Sequence, residues 1–205
     1  MTNYILKICI LLLGAWTLCL SGLSQENWEL KKDKNGIQVF ILDDENSTFK
    51  PYRSVIVVEG SIEEFESILK DIPNMPDWAE SIKEAHLLNE IGDSIQILYS
   101  EAKAPFPFKN RDGIYQNSYR WSEDKRLLMV DVKILPDYIE LVEHLERVSG
   151  HGYWRIKDLG EGKIEIFSEM HIDPGGNIPA WLANSFADEN PYQTMMNIRE
   201  LMEKN

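Results

Sequence analysis

Cysteine is nearly absent from this sequence of 205 residues. The two cysteines, Cys9 and Cys19, both lie close to the N-terminus, so residues 25–205 contain no thiol. That region cannot form a disulfide, a cysteine nucleophile or a cysteine metal site. A domain of this size can bury a hydrophobic core that is large enough to be stable without such cross-links.

Basic residues are also few. The chain has 21 lysines and arginines against 34 aspartates and glutamates, which gives a formal net charge of −13. Nucleic-acid binding requires cations that displace counterions from phosphates, so this balance argues against a nucleic-acid partner. It argues equally against adsorption to an anionic membrane through overall charge, and it favours solubility.

No apolar run reaches the roughly 20 residues that a membrane-spanning helix needs. The longest run covers residues 8–20, follows the single cation Lys7, and precedes a segment of small and polar residues. This layout is typical of a secretory signal peptide. We therefore expect a signal peptide over residues 1–24, one domain over residues 25–205, and export to the periplasm or the extracellular space. Lipidation at Cys19 and an uncleaved anchor are the alternatives.

Signatures of catalytic and metal sites are missing as well. The histidines His86, His144, His151 and His171 are scattered, and no His-Glu-x-x-His motif is present. The sequence also lacks a Gly-x-Ser-x-Gly elbow, a phosphate-binding loop and a dinucleotide fingerprint. We predict no metal, no cofactor and no enzyme activity. One enzymatic alternative depends on Glu169 and His171, which share a face of one predicted strand and could perform acid–base chemistry if that face lines a cavity.

Local signals near the N-terminal end of the domain indicate a hairpin and a helix. Asn35-Gly36 lies between two alternating segments, which predicts a tight β-hairpin. Ser61 and Glu64 have the spacing of a capping box at the start of an amphipathic helix, and Pro73 ends that helix.

The rest of the domain predicts strands followed by one helix. Residues 82–173 mostly alternate between polar and apolar side chains, which indicates antiparallel strands. Residues 178–204 predict a long C-terminal helix, kinked or interrupted near Pro191. This element order is typical of an α+β fold in which the helix covers a twisted sheet. The turn of Pro174, Gly175 and Gly176 lies between the last strand and that helix, and glycine permits the sharp reversal.

Two motifs in the same order resemble a known family. APFPFKNRDGIY at residues 104–115 and DPGGNIPAWLAN at residues 173–184 resemble the START family of lipid-transfer domains, and in particular its phosphatidylcholine-transfer branch. The resemblance implies a helix-grip fold, in which a curved antiparallel sheet wraps the C-terminal helix around an internal cavity. It implies that the domain binds one lipid or other hydrophobic molecule and transfers it between membranes without catalysis.

The predicted binding of a lipid suggests partners, and the position of the Gly-Gly sequence suggests a gate. A transient membrane contact is expected when the lipid enters or leaves, and we expect the protein to be a monomer. Pro174, Gly175 and Gly176 are the predicted gate, because the helix must lift at that turn to admit a ligand. The enzymatic alternative here is a cyclase or aromatase of the wider superfamily. A non-catalytic protein of the cell envelope is the other alternative.

The resemblance assigns a polar end to the predicted cavity. Arg111 is the candidate that binds a phosphate head group, since a guanidinium binds phosphate through two hydrogen bonds. Asp112 or Glu101 would balance this charge when no ligand is bound; alternatively, Arg111 and Asp112 form a structural ion pair. Sterol-binding members have a further arginine where this chain has Asn117, so sterol-type recognition does not transfer directly.

The remaining predicted ligand-binding residues are apolar or aromatic. They are Tyr115, Met129, Trp154, Met170, Leu182, Phe186 and Met195. Methionine adapts to ligands of varied shape, and aromatic rings such as that of Tyr115 could surround a choline group. The alternative is that these side chains only pack in the core of the domain.

Overall fold

One ten-stranded, almost entirely antiparallel sheet is the main element of the computed structural model, which describes residues 27–43 and 47–204. The predicted signal peptide and both cysteines lie outside the described residues. Among the residues that are described, no helix has the length and the apolar character needed to cross a membrane.

The strands are β1 (Trp28–Lys34), β2 (Ile37–Leu42), β3 (Tyr52–Glu59), β4 (Ile82–Ile91), β5 (Ile95–Ala102), β6 (Arg111–Trp121), β7 (Leu127–Ile134), β8 (Glu146–Arg147), β9 (Ser149–Gly160) and β10 (Lys163–Asp173). The helices are α1 (Ile62–Lys70), a 3-10 helix (Ile72–Asp77), α2 (Ala180–Asn184) and α3 (Glu189–Glu203). The strand order is β1-β2-β3-β10-β9-β7-β6-β5-β4, with the short β8 beside β6. The last strand therefore pairs with the third, and residues far apart in sequence form the middle of the sheet.

The local signals are confirmed. Asn35 and Gly36 both have positive φ, at 53° and 69°, and connect β1 to β2. The capping box of α1 forms in both directions: the Ser61 hydroxyl accepts from the Glu64 amide at 3.2 Å, and the Glu64 carboxylate accepts from the Ser61 amide at 2.7 Å. These structures depend on neighbouring residues alone, so the sequence could predict them.

The main core lies between one face of the sheet and the helices α1 and α3. Phe65 of α1 and Met195 and Ile198 of α3 are completely buried there. They pack against inward-facing residues of the sheet such as Ile56 and Ile166. Burial of each such side chain contributes about 1.5–3 kcal/mol. The predicted α+β helix-grip architecture is confirmed, since the C-terminal helix covers the concave sheet.

The predicted C-terminal helix over residues 178–204 needs one correction, because two helices are present. α2 ends at Asn184, and residues 185–188 form turns before α3 begins at Glu189. Pro191 lies in the first turn of α3, where a backbone N–H would have no helical partner in any event. The proline therefore marks the beginning of a helix, and the chain changes direction before it.

Candidate functional site

The sheet and the C-terminal helices line a cavity of about 360 Å³ that is partly open to solvent. This volume is within the range of about 300–1,000 Å³ that is usual for small-molecule sites. Apolar side chains form most of the wall, among them Leu69, Ile72, Met75, Leu98, Val132, Val148, Trp154, Met170, Ile172 and Phe186. The interior can therefore remove an apolar ligand from water.

Strand alternation decides which residues of β10 reach the cavity. Ser168, Met170 and Ile172 line it. Successive side chains of a strand point to opposite faces, so Glu169 and His171 lie on the outer face of the sheet. The condition for acid–base chemistry by these two residues inside the cavity is therefore not met.

Glu169 instead joins three strands on the outer face. Its carboxylate accepts from Arg53 Nε at 2.6 Å and from the Tyr153 hydroxyl at 3.1 Å, and it lies 2.9 Å from His171 Nε2. Burial would raise the pKa of this carboxyl, but hydrogen bonds from His171 and Arg53 more than offset that effect, so the pKa lies below its ordinary value. The His151 ring stacks on that of His171 with their centroids 4.8 Å apart. The contacts of Glu169 thus connect side chains of β3, β9 and β10.

Arg111, the first residue of β6, supplies a buried cation to the cavity wall, with only 6% of the residue exposed. Its Nε donates to the carbonyl of Pro174 at 3.3 Å and its Nη2 to that of Gly175 at 3.5 Å, while Nη1 donates to the carbonyl of Lys109. Within the described part of the chain, no carboxylate forms an ion pair with this guanidinium. Burial lowers the pKa of Arg111, and the charge of Glu146 offsets this only in part.

Asp112 and Glu101 do not balance Arg111 as predicted, and neither lines the cavity. Asp112 follows Arg111 on the strand and therefore points to the other face, where Arg147 donates to its two oxygens at 2.8 and 2.9 Å. Glu101 lies opposite Asp112 on β5 and accepts from Lys83 at 3.0 Å. The predicted ion pair between Arg111 and Asp112 is wrong.

Most of the other predicted residues line the cavity: Tyr115, Asn117, Trp154, Met170, Pro174 and Phe186. Met129 does not, because it alternates on β7 with Leu128 and Val130, whose side chains face the core. Met195 is completely buried between α3 and the sheet, and Leu182 on α2 is also outside the wall. For these three residues the predicted ligand contact is not supported.

The polar residues of β3 were not predicted. Tyr52 and Ser54 line the cavity, and the Ser54 and Ser168 hydroxyls lie 2.7 Å apart. The period-two pattern of β3 places Tyr52 and Ser54 on the same face as Ile56, so a signal was present. The sequence alone does not show that this face encloses a cavity.

The charges around the cavity differ in sign from those of the whole chain. The charged side chains in its wall are the cations Lys50, Lys103 and Arg111 and a single carboxylate, Glu80. The full sequence has a net charge of −13. The site is therefore locally positive and suits a ligand with an anionic group.

The turn that precedes α2 closes one end of the cavity. Gly175 and Gly176 have φ of 63° and 64°, a conformation that side chains disfavour. A Cβ on Gly175 would lie 2.5 Å from the carbonyl oxygen of Arg147, and one on Gly176 would lie 2.8 Å from the carboxyl carbon of Glu146. The turn therefore packs directly on β8. Arg111 also donates hydrogen bonds to the carbonyls of Pro174 and Gly175.

Comparison with known proteins agrees with this arrangement. The family model of the START domain matches residues 19–200. An uncharacterised protein of Pseudomonas aeruginosa is 28% identical over 201 residues, which cover 98% of each chain. The phosphatidylcholine transfer protein of Mus musculus is 28% identical over 174 residues, which cover 80% of this chain and 78% of that protein.

A solved structure shows the same fold. The crystal structure of a STAR-related lipid transfer protein from Xanthomonas axonopodis is 29% identical and gives a TM-score of 0.79, covering 86% of this chain and 98% of that one. The family model and this structural match thus both cover most of the described region. This chain belongs to the START domain family.

Proposed function

We propose that this protein binds one phosphate-bearing lipid in its cavity and carries it between membranes without changing it chemically. The observation that carries the proposal is the buried guanidinium of Arg111, which has no carboxylate partner within the described chain. Buried charges are normally paired, because desolvation of an isolated charge is costly. A phosphate on the ligand would supply the missing anion through two parallel hydrogen bonds.

The apolar wall supplies the affinity for the rest of the lipid. Each methylene group that leaves water contributes about 0.8 kcal/mol. One long acyl chain therefore offers on the order of 10 kcal/mol before ordering costs are subtracted. The relatives support this reading, since two of them are a phosphatidylcholine transfer protein and a STAR-related lipid transfer protein by name.

Exposed aromatic residues near the cavity support a membrane contact. Phe106 is 97% exposed and directly follows Ala104 and Pro105, which line the cavity. Trp181 is 73% exposed on α2, which contributes Ala183 and Asn184 to the cavity wall. Aromatic side chains favour the interface between water and lipid. We propose that these two residues touch the membrane while the chain acts as a monomer, and that the leader exports it.

Native mass spectrometry of the protein expressed from the full-length sequence tests the function. After exposure to a total bacterial lipid extract, we expect one lipid per chain, and fragmentation of the adduct should release a phosphate head group. The intact mass also reports whether residues 1–24 have been removed. A bare chain, in an extract that loads a reference lipid-binding protein, would contradict the proposal.

Replacing Gly175 and Gly176 by alanine should speed lipid release several-fold. Alanine disfavours the positive φ and collides with β8, so the closed turn loses about 1–2 kcal/mol relative to an open one. Release is measured as transfer of a fluorescent phospholipid from loaded protein to acceptor vesicles.

Gly92→Ala is the matched control for the gate. Gly92 has a similar φ of 57°, but a Cβ there would meet nothing within 4 Å. This variant should lose a little stability and release lipid at the rate of the unaltered protein. If the double variant and the control release lipid equally fast, the turn is not the gate.

A further inference from the structure

Three hydroxyl groups cluster on the cavity side of the sheet, apart from the guanidinium of Arg111. Tyr52 and Tyr115 line the cavity, and Ser100 is 1% exposed beside them. The ring of Tyr115 folds back over Gly113, since a Cβ at that glycine would lie 2.6 Å from the Tyr115 hydroxyl oxygen. The Tyr115 hydroxyl therefore lies over Gly113, between Tyr115 and Arg111 along β6, and Gly113 pairs with Ser100 on β5.

Hydrogen-bond donors of this cluster lack acceptors among the described residues. The Ser100 hydroxyl is buried without a hydrogen-bond partner of good geometry in the described chain, although the Tyr115 hydroxyl lies near it. The Tyr52 hydroxyl, close to Tyr115, donates to no other described residue. Burial raises the pKa of both tyrosines, so their hydroxyls stay protonated and available as donors. Tyr52 and Tyr115 are only partly buried and line the cavity, so an acceptor on a bound ligand can reach their hydroxyls.

The distance from Arg111 indicates which acceptor would fit. Gly113 lies two residues from Arg111 on the same face of β6, about 7 Å away at the usual rise of a strand. In a glycerophospholipid, the ester carbonyl oxygen is roughly six bonds from phosphorus, which also spans about 7 Å in an extended chain. With the phosphate at Arg111, an ester carbonyl therefore reaches the hydroxyl cluster.

We propose that Tyr52 and Tyr115 form a second recognition point that donates hydrogen bonds to the ester carbonyls of a glycerophospholipid. The protein would thereby select ester-linked lipids over ether-linked ones, because an ether has no carbonyl and is a weaker acceptor. This inference rests on the proposed function, since it requires a phospholipid whose phosphate lies at Arg111.

A pair of matched lipids tests the inference. The protein is exposed to an equimolar mixture of a diester phosphatidylcholine and its diether analogue with the same head group and chain length, and native mass spectrometry gives the ratio of the two adducts. We expect the diester lipid to be favoured about five- to tenfold, the effect of one net hydrogen bond. In the Tyr52→Phe/Tyr115→Phe variant, the ratio should fall to about one while uptake of the diether lipid is unchanged.

Tyr119→Phe is the matched control, because the Tyr119 hydroxyl on the same strand donates to Gln96 at 3.1 Å and lies outside the cavity wall. This variant should keep the ratio of the unaltered protein. Equal uptake of both lipids by the unaltered protein would overturn the inference, as would an equal loss of both in the double variant. Uptake of neither probe by a protein that loads from the bacterial extract overturns the inference alone. Absence of lipid in both experiments overturns the proposed function as well.

Discussion

Replacing Arg111 by methionine is expected to lower phospholipid affinity about 100-fold, because two charge-assisted hydrogen bonds to the phosphate are lost. Stability should change little, with the free energy of unfolding within about 1 kcal/mol of the unaltered protein. The guanidinium is buried without a carboxylate, so methionine removes an unfavourable charge as well as three hydrogen bonds to backbone carbonyls. Lipid titration by native mass spectrometry and urea denaturation measure the two effects separately.

Two variants show whether the effect is specific. Arg111→Lys keeps the positive charge but loses the planar fork, so we expect an intermediate loss of about tenfold. Arg126→Met removes an exposed arginine that pairs with Asp158, and since neither residue lines the cavity, it should leave affinity unchanged. Full lipid affinity in Arg111→Met would remove the main support for the proposed function, and global unfolding would show that the guanidinium is structural.

Replacing Arg147 by methionine is expected to lower the free energy of unfolding by about 3–5 kcal/mol. The carboxylate of Asp112 is completely buried and receives two hydrogen bonds from this arginine. The same guanidinium donates to the carbonyls of Pro136, Ile139 and Glu140. Methionine would leave the buried carboxylate of Asp112 without a cation, and it would remove the hydrogen bonds to these three carbonyls.

Urea denaturation followed by circular dichroism measures this loss. Adding Asp112→Asn to Arg147→Met should restore part of the stability, because the uncompensated charge is removed. The exposed pair of Arg126 and Asp158 again supplies the control, with an expected loss of at most about 1 kcal/mol in Arg126→Met. A loss of less than about 1 kcal/mol in Arg147→Met would show that the buried pair does not stabilise the fold.

The elements that could be predicted from the sequence depend on few, adjacent residues. The hairpin at Asn35-Gly36 and the capping box of Ser61 and Glu64 are of this kind. The break between α2 and α3 was predicted too far along the chain, since a proline in the first turn of a helix is compatible with helix formation. What breaks the helix is the change of direction over residues 185–188, which tertiary packing imposes.

Several cavity residues were predicted from the sequence, but the ion pairs around Arg111 and Asp112 were not. The family motif indicated Arg111, yet the start of β6 is buried on both faces: Arg111, Asp112 and Ile114 are all nearly inaccessible. Hydrophobic alternation therefore gave no sign that Asp112 faces Arg147, which is 35 residues away in sequence. Met129 was assigned by its residue type rather than by the alternation of β7, which places it opposite the core-facing Leu128 and Val130.

The alternation of β10 has a consequence for how this fold can change. Its cavity wall carries Ser168 and Met170, and its outer face carries the hydrogen-bonded residues Glu169 and His171. Because the side-chain period of a strand is two, a shift of one residue exchanges the two sets. An insertion ahead of Ser168 that shifts the pairing of the following residues by one would turn the Glu169 carboxylate and the His171 imidazole toward the cavity. A bulge that absorbs the inserted residue would leave both on the outer face. The pairing of β10 with β3 and β9 and the hydrogen bonds from Arg53 and Tyr153 to Glu169 oppose such a shift.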